Sequence, residues 1–83
     1  MKQNIYAIYD TVAQCFNLPF FNVNNAVAIR NFSTSVQNEP HKNDYELFQL
    51  GEFDDQNGSI CPLDSPTKIL TGFDVETAVI QQP

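Results

Sequence analysis

The segment Tyr45-Glu-Leu-Phe-Gln-Leu-Gly-Glu-Phe-Asp-Asp-Gln-Asn-Gly-Ser-Ile60 constrains the fold more than any other part of the chain. It reads as an apolar strand, an acidic turn closing on Asn57-Gly58, and the start of a returning strand. Asn-Gly between apolar runs is a strong hairpin signal, because a type I′ turn needs positive φ at both central residues. The spacing places the two strands near Tyr45–Phe53 and Ser59–Leu63. The signal carries no chemistry of its own. It commits the chain to an antiparallel sheet, to which the other segments must pack.

Ile5-Tyr-Ala-Ile-Tyr9 is apolar on both faces, as expected of a strand in the middle of a small sheet. Asp10-Thr11 reads as a turn, and Ala13–Phe16 as a second strand pairing back on the first. Pro19 has no N–H to give a ladder and interrupts it, leaving Phe20–Val23 as an extended lead-in. Asn24 or Asn25 suits an N-cap. Ala26, Ile29, Phe32 or Ser33, and Val36 recur at helical spacing, which predicts one helix over Asn25–Gln37 with Arg30 and Asn31 at or beyond the edge of its apolar stripe. A polar loop from Asn38 to Asp44, with Pro40 inside it, stops that helix. Asp64-Ser-Pro66-Thr predicts another turn, Lys68–Thr71 a short edge strand, and Phe73–Ile80 a tail or an arm packed on another subunit. The sum is an α+β fold: a small antiparallel, ββαββ-like sheet with one helix packed on a face and an extended C-terminal tail. Residues 1–64 form the domain and 65–83 an edge strand or tail.

Composition narrows the function classes. Eighty-three residues make one domain, at a size where a single core is only marginally sufficient. Seven Phe and three Tyr must therefore pack tightly or be shared with a second subunit, so a homo-oligomer is one expectation. Four cations (Lys2, Arg30, Lys42, Lys68) stand against ten acidic residues, a net charge of −6. Scattered cations disfavour coating of nucleic acid, which needs clustered Lys and Arg to displace counterions from phosphates. Stacking of a few unpaired bases on aromatics remains open, as does docking of the acidic surface onto a basic protein. Met1-Lys2-Gln3-Asn4 enters a strand directly with no signal peptide, so the expectation is an intracellular chain with Cys15 and Cys61 reduced and buried. The apolar runs are too short to span a membrane.

No constellation of catalytic or metal-binding residues can be assembled. A calcium loop using Asp55, Asn57 and Gly58 would put Phe53 at the first ligand position, where an oxygen donor is required. Zinc needs four ligands, and Cys15, Cys61 and His41 supply three without paired spacing. Gly51, Gly58 and Gly72 are isolated, so there is no phosphate-cradling loop. The reading is a non-enzymatic domain without a cofactor. Its candidate protein contacts are the acidic turn (Asp54, Asp55) and the pair Phe20-Phe21, whose side chains a strand cannot point to one face. Its candidate nucleic-acid contacts are Lys2, Arg30, Lys42 and Lys68 with the sheet aromatics Tyr6 and Tyr9.

Three segments taken in order carry a resemblance. They are Ile5-Tyr-Ala-Ile-Tyr-Asp10 followed by Ala13 and Gln14; Pro19-Phe-Phe21 with Ala28-Ile-Arg30 and Phe32; and Asp44-Tyr-Glu-Leu-Phe-Gln-Leu-Gly-Glu-Phe-Asp-Asp55 with Gly58. Over residues 2–64 this set resembles the small non-structural protein of gokushoviruses, single-stranded-DNA phages of the Microviridae. The resemblance implies a viral protein that works in the host bacterial cytoplasm and is absent from the capsid. It also implies a part in single-stranded genome replication and packaging. Contacts with viral replication or packaging proteins are one mode of action. Direct binding of single-stranded DNA is the alternative. The family defines no functional residues to carry over.

Overall fold

The computed structural model describes residues 2–75. Five strands form one antiparallel sheet: β1 (Lys2–Asp10), β2 (Cys15–Phe16), β3 (Phe20–Asn22), β4 (Tyr45–Asp54) and β5 (Ile60–Thr71). One helix, α1 (Asn25–Val36), lies across one face. The strand order is β2-β1-β4-β5, and β3 also pairs with β1. Since β4 occupies the other side of β1, β2 and β3 together make one broken edge strand. The α+β architecture with a single helix is as the sequence pattern predicts, with β3 a hydrogen-bonded strand rather than a mere lead-in.

Local chemistry accounts for each turn. The Asp10 side chain accepts the N–H groups of Val12 and Ala13, and its carbonyl accepts that of Gln14, which closes the β1–β2 turn with Gln14 at φ 59°. Pro19 then splits the edge, and the chain rejoins β1 with Phe21 opposite Ile5. Asn24 caps α1 by accepting the Val27 N–H at 2.9 Å, satisfying one of the unpaired donors of the first turn. The stripe that α1 buries is Ala28, Phe32 and Val36 with Ile29 beside it; Ala26 is exposed. Spacing of four residues puts 28, 32 and 36 in one row, which overrides the phase that starts at Ala26.

The hairpin forms where expected but with a different turn. Among the described residues only Gly58 and Gln14 have positive φ, so Asn57-Gly58 is not a type I′ pair. Instead the Asp54 carbonyl accepts the Gly58 N–H at 2.8 Å, and Asn57 accepts the Ser59 N–H through its side chain. Gly58, at φ 76°, supplies the left-handed residue that turns the chain back toward β5. The expected turn at Asp64–Thr67 is likewise absorbed into β5, which runs from Ile60 to Thr71 and carries the sheet across residues 64 and 65. Pro62 pairs with Gly51 and Thr67 with Gln49, so the residues between bulge outward opposite Leu50. Pro66 is tolerated because this strand is at the sheet edge and owes no donor on its outer side. At the bulge the strands approach closely: a Cβ on Gly51 would lie 2.5 Å from the Cys61 carbonyl oxygen.

Alternation along β1 and β4 divides the sheet into two faces. Tyr6, Ile8, Phe20, Tyr45 and Leu47 turn toward α1, where Tyr6, Ala28, Phe32, Val36, Leu47 and Val75 form the core. Tyr6 stacks on Phe20 at 5.9 Å, and its hydroxyl donates to the Asn25 side chain. A 3-10 turn at Gly72–Asp74, capped reciprocally by Thr71 and Asp74, carries Val75 into this core. The residues read as a tail thus include a core contributor at Val75, and residues 76–83 lie outside the described part. The molecule is a slab with principal extents of 45 × 31 × 16 Å. Its radius of gyration is 13.7 Å, where a compact domain of this length would have about 11–12 Å.

Candidate interaction face

The face of the sheet away from α1 is the site that the fold builds. Ile5, Ala7 and Tyr9 of β1, Phe16 of β2, Phe21 of β3, and Phe48 and Phe53 of β4 share it by register: Ile5 lies opposite Phe21 and Gly51, Ala7 opposite Phe48, and Tyr9 opposite Phe16. Two aromatic clusters result. Tyr9, Phe16 and Phe48 form a triangle with centroids 4.8, 5.5 and 6.1 Å apart, and Phe21 meets Phe53 at 5.4 Å. Most of these contacts are tilted or edge-to-face, the arrangement that aromatic quadrupoles favour. Ile5 and Ala7, beside them in register, are buried, while Phe16 and Phe21 remain 41% and 47% exposed. Ile60, opposite Phe53, extends the apolar surface and is 63% exposed.

Polar groups on this face are few among the described residues: Gln3 lies opposite Phe53 and Thr71 opposite Glu46. Glu46 lies opposite Tyr9, and Lys68 opposite Phe48. They form an ion pair at 3.2 Å, so the face carries one charge of each sign and no net charge from them. An antiparallel sheet with a helix on one side normally alternates apolar-in and polar-out. Here both sets are apolar, and an exposed contiguous apolar patch marks an interaction surface.

The structure brings together only part of the residue set expected from the sequence. Tyr9 is on the open face. Tyr6 is not: it is fully buried under α1 and is removed as a nucleic-acid contact, because period-two alternation sends it to the opposite side from Tyr9. The four cations do not converge. Lys68 is on the open face but paired with Glu46. Lys2 pairs with Glu52 at 3.9 Å. Lys42, which opens a 3-10 turn at Lys42–Asp44, donates to the Gly72 carbonyl at 3.0 Å and so joins that turn to the one at Gly72–Asp74. Arg30 is exposed on α1, two residues from the buried row, and so on the far side of the slab. Phe20 and Phe21 separate as a strand requires, one into the core and one onto the open face. Asp54 spends its carboxylate on the Gln56 N–H within the turn, while Asp55 is exposed at its tip.

Cys15 and Cys61 are free and exposed rather than buried. They sit on short or edge strands at opposite sides of the sheet, so no bridge within one chain can join them. Phe16, Phe48 and Phe53, the rings that with Phe21 define the face, were not singled out as contacts by sequence reasoning. The odd-numbered alternation from Ile5 to Tyr9 could have flagged their side, had the position of the helix been known. Beside α1, two adjoining cavities of about 200 and 230 Å³ share Ile8 and Ser35, where the gap between β2 and β3 leaves β1 uncovered. No helix among the described residues is long and apolar enough to cross a membrane.

The described residues thus define a small α+β domain: an antiparallel sheet with one helix on one face and an apolar outer face. The model of the phage ORF5 protein family matches residues 3–80, nearly the whole chain, and the chain belongs to that family. The match runs well past residue 64, where the resemblance noted in the sequence ends. No curated protein and no solved structure matches the chain.

Proposed function

We propose that this phage protein is a non-enzymatic contact module that acts in the replication and packaging of a single-stranded genome. It works in the host bacterial cytoplasm by presenting its open sheet face to protein. The observation that carries the reading is the makeup of that face among the described residues: five aromatic rings with Ile5, Ala7 and Ile60, against the uncharged Gln3 and Thr71 and one internally paired Glu46 and Lys68. Surfaces of this kind gain free energy by excluding water, and they resemble the desolvated centre of a protein interface. The gokushovirus-like segments support the genome-replication setting, and family membership supports a phage setting. The test is a phage whose gene carries Phe16→Ser and Phe21→Ser. The expected outcome is normal double-stranded replicative DNA with a loss of packaged single-stranded genomes. A normal yield of packaged genomes from a folded variant refutes it.

Direct binding of single-stranded DNA is the second reading, favoured by the exposed rings of Phe16 and Phe21, since bases stack on such rings regardless of sequence. Against it stands the dispersal of Lys2, Arg30 and Lys42 away from those rings. Fluorescence anisotropy with a labelled oligothymidine at low and moderate salt decides between them. Micromolar binding with a clear salt slope replaces the protein-contact reading.

A further inference from the structure

We propose that two copies of this chain associate through their open sheet faces, forming a β-sandwich with the helices outermost. The proposal rests on reading that face as a protein contact, and it names the partner. Sheets pack face to face about 10 Å apart through interdigitated apolar side chains, and a second copy offers a surface of matching size and composition.

The area is adequate. β1 and β4 have nine and ten residues, which at about 3.3 Å each give a face roughly 30 Å long. Four strand positions at about 4.8 Å spacing give a width of roughly 20 Å. Each copy then contributes roughly 600 Å², and a pair buries roughly 1,200 Å², the lower bound for specific stable interfaces.

Charge selects a second copy over a basic partner. Each chain carries a net charge of −6, yet Glu46 and Lys68 cancel on the open face, so the acidity lies elsewhere on the molecule. A two-fold axis places the same patch on both sides of the contact. Glu46 of one copy can then meet Lys68 of the other, and no like charges need face each other. A face built to hold a basic protein would instead concentrate carboxylates.

The edges exclude the competing mode of self-association, in which sheets extend strand by strand. Pro19 breaks the β2–β3 edge, while β5 carries Pro62, Pro66 and Lys68 along the other. Missing donors and an edge lysine are the usual devices that prevent such pairing. With the edges blunted and one face occupied by α1, the open face is, among the described residues, the large apolar surface left for a second copy.

Sedimentation equilibrium on the full chain over a concentration series tests this. The expected mass is twice 9.4 kDa, falling to 9.4 kDa on dilution. Phe16→Ser/Phe21→Ser keeps the charge unchanged and should weaken association at least about thirtyfold, as removal of interface hot spots does, with far-UV circular dichroism unaltered. Glu46→Lys and Lys68→Glu, made separately, each give two like charges on a face and should be monomeric alone. Mixed, they should form a heterodimer. A wild-type chain that stays monomeric overturns the proposal, as does a Phe16→Ser/Phe21→Ser variant that dimerises as tightly as wild type, or a mixture that stays monomeric. A monomer that binds oligothymidine through Phe16 and Phe21 overturns it in favour of single-stranded DNA. A monomeric wild type whose face variant still fails to package genomes refutes self-association alone. Dimers with normal packaging in the variant refute the functional reading alone.

Discussion

Tyr6→Phe tests whether this tyrosine is a structural residue of the core. The change removes a single hydroxyl and leaves the ring that stacks on Phe20 and packs under α1. That hydroxyl accepts from the Asn4 side chain at 2.9 Å and donates to the Asn25 side chain, tying β1 to the first residue of α1. Each such bond contributes about 0.5–1.5 kcal/mol net. Asn25 is exposed and Asn4 half-buried, so water can reclaim part of both, and the expected loss is about 1–2 kcal/mol. Against a total stability of about 4–12 kcal/mol for a chain of this length, that is a substantial fraction. It corresponds to a fall in melting temperature of about 5–15 °C. Urea unfolding followed by circular dichroism should show the midpoint move with the slope unchanged. A cycle with Asn25→Ala should return a coupling of about 1 kcal/mol, since both changes remove the same bond. Oligomeric state and packaging should be untouched in the folded population. A Tyr6→Phe protein as stable as wild type would refute the contribution assigned to the two hydroxyl bonds, and one that loses association as Phe16→Ser/Phe21→Ser does would refute the assignment of Tyr6 to the core.

Asn24→Ala removes the acceptor for the Val27 N–H and should cost about 1 kcal/mol, read as a shift of the urea midpoint. Gly51→Ala drives a methyl against the Cys61 carbonyl oxygen and the Pro62 Cα, both backbone atoms, and should destabilise by about 1–3 kcal/mol in the same assay. Raising salt should strengthen self-association by screening the repulsion between chains of net charge −6, with sedimentation as the readout; weakening by salt would contradict a contact between like-charged copies.

The helix and the hairpin strands were legible because their signals are local. Asn24 caps, Pro40 stops, and Phe32 and Val36 hold the stripe. Its starting phase was not, because Ala26, Val27 and Ala28 are all small and apolar and only packing chooses among them. The turn was misread for a related reason: Asn57-Gly58 fits a two-residue loop, but Asp54 at the end of β4 offers its carbonyl to Gly58 four residues on, and the longer loop satisfies more groups. Continuity of β5 was hidden by Asp64 and Pro66, which look like turn residues unless the strand is known to be an edge. The cysteines were expected inside on propensity, but Cys15 sits in a two-residue strand at a turn and Cys61 on the outer strand. The face itself was illegible for a different reason. Both sides of Ile5–Tyr9 are apolar, so nothing in that run says which side α1 will cover.

That ambiguity bears on function. A strand apolar on both faces belongs in a sheet covered on both faces. Among the described residues, however, α1 covers only the side of Tyr6 and Ile8. On the other side, Ile5 lies opposite Phe21 and Ala7 opposite Phe48, both are buried, and Phe16 and Phe21 remain half out in solvent. The rings are not splayed to receive flat bases. Phe48 meets Phe16 at 81° and Tyr9 at 77°, and Phe53 meets Phe21 at 67°, so ring edges are already engaged with neighbouring rings. On the proposed reading such a layer is one half of a hydrophobic core, completed by more apolar side chain at about 10 Å rather than by phosphate and water. Lys68, the one cation placed on this face among the described residues, is held by Glu46 rather than left for a phosphate backbone. The two-faced apolar pattern of β1 and the neutrality of the open face therefore favour protein as what closes this core over a nucleic-acid strand.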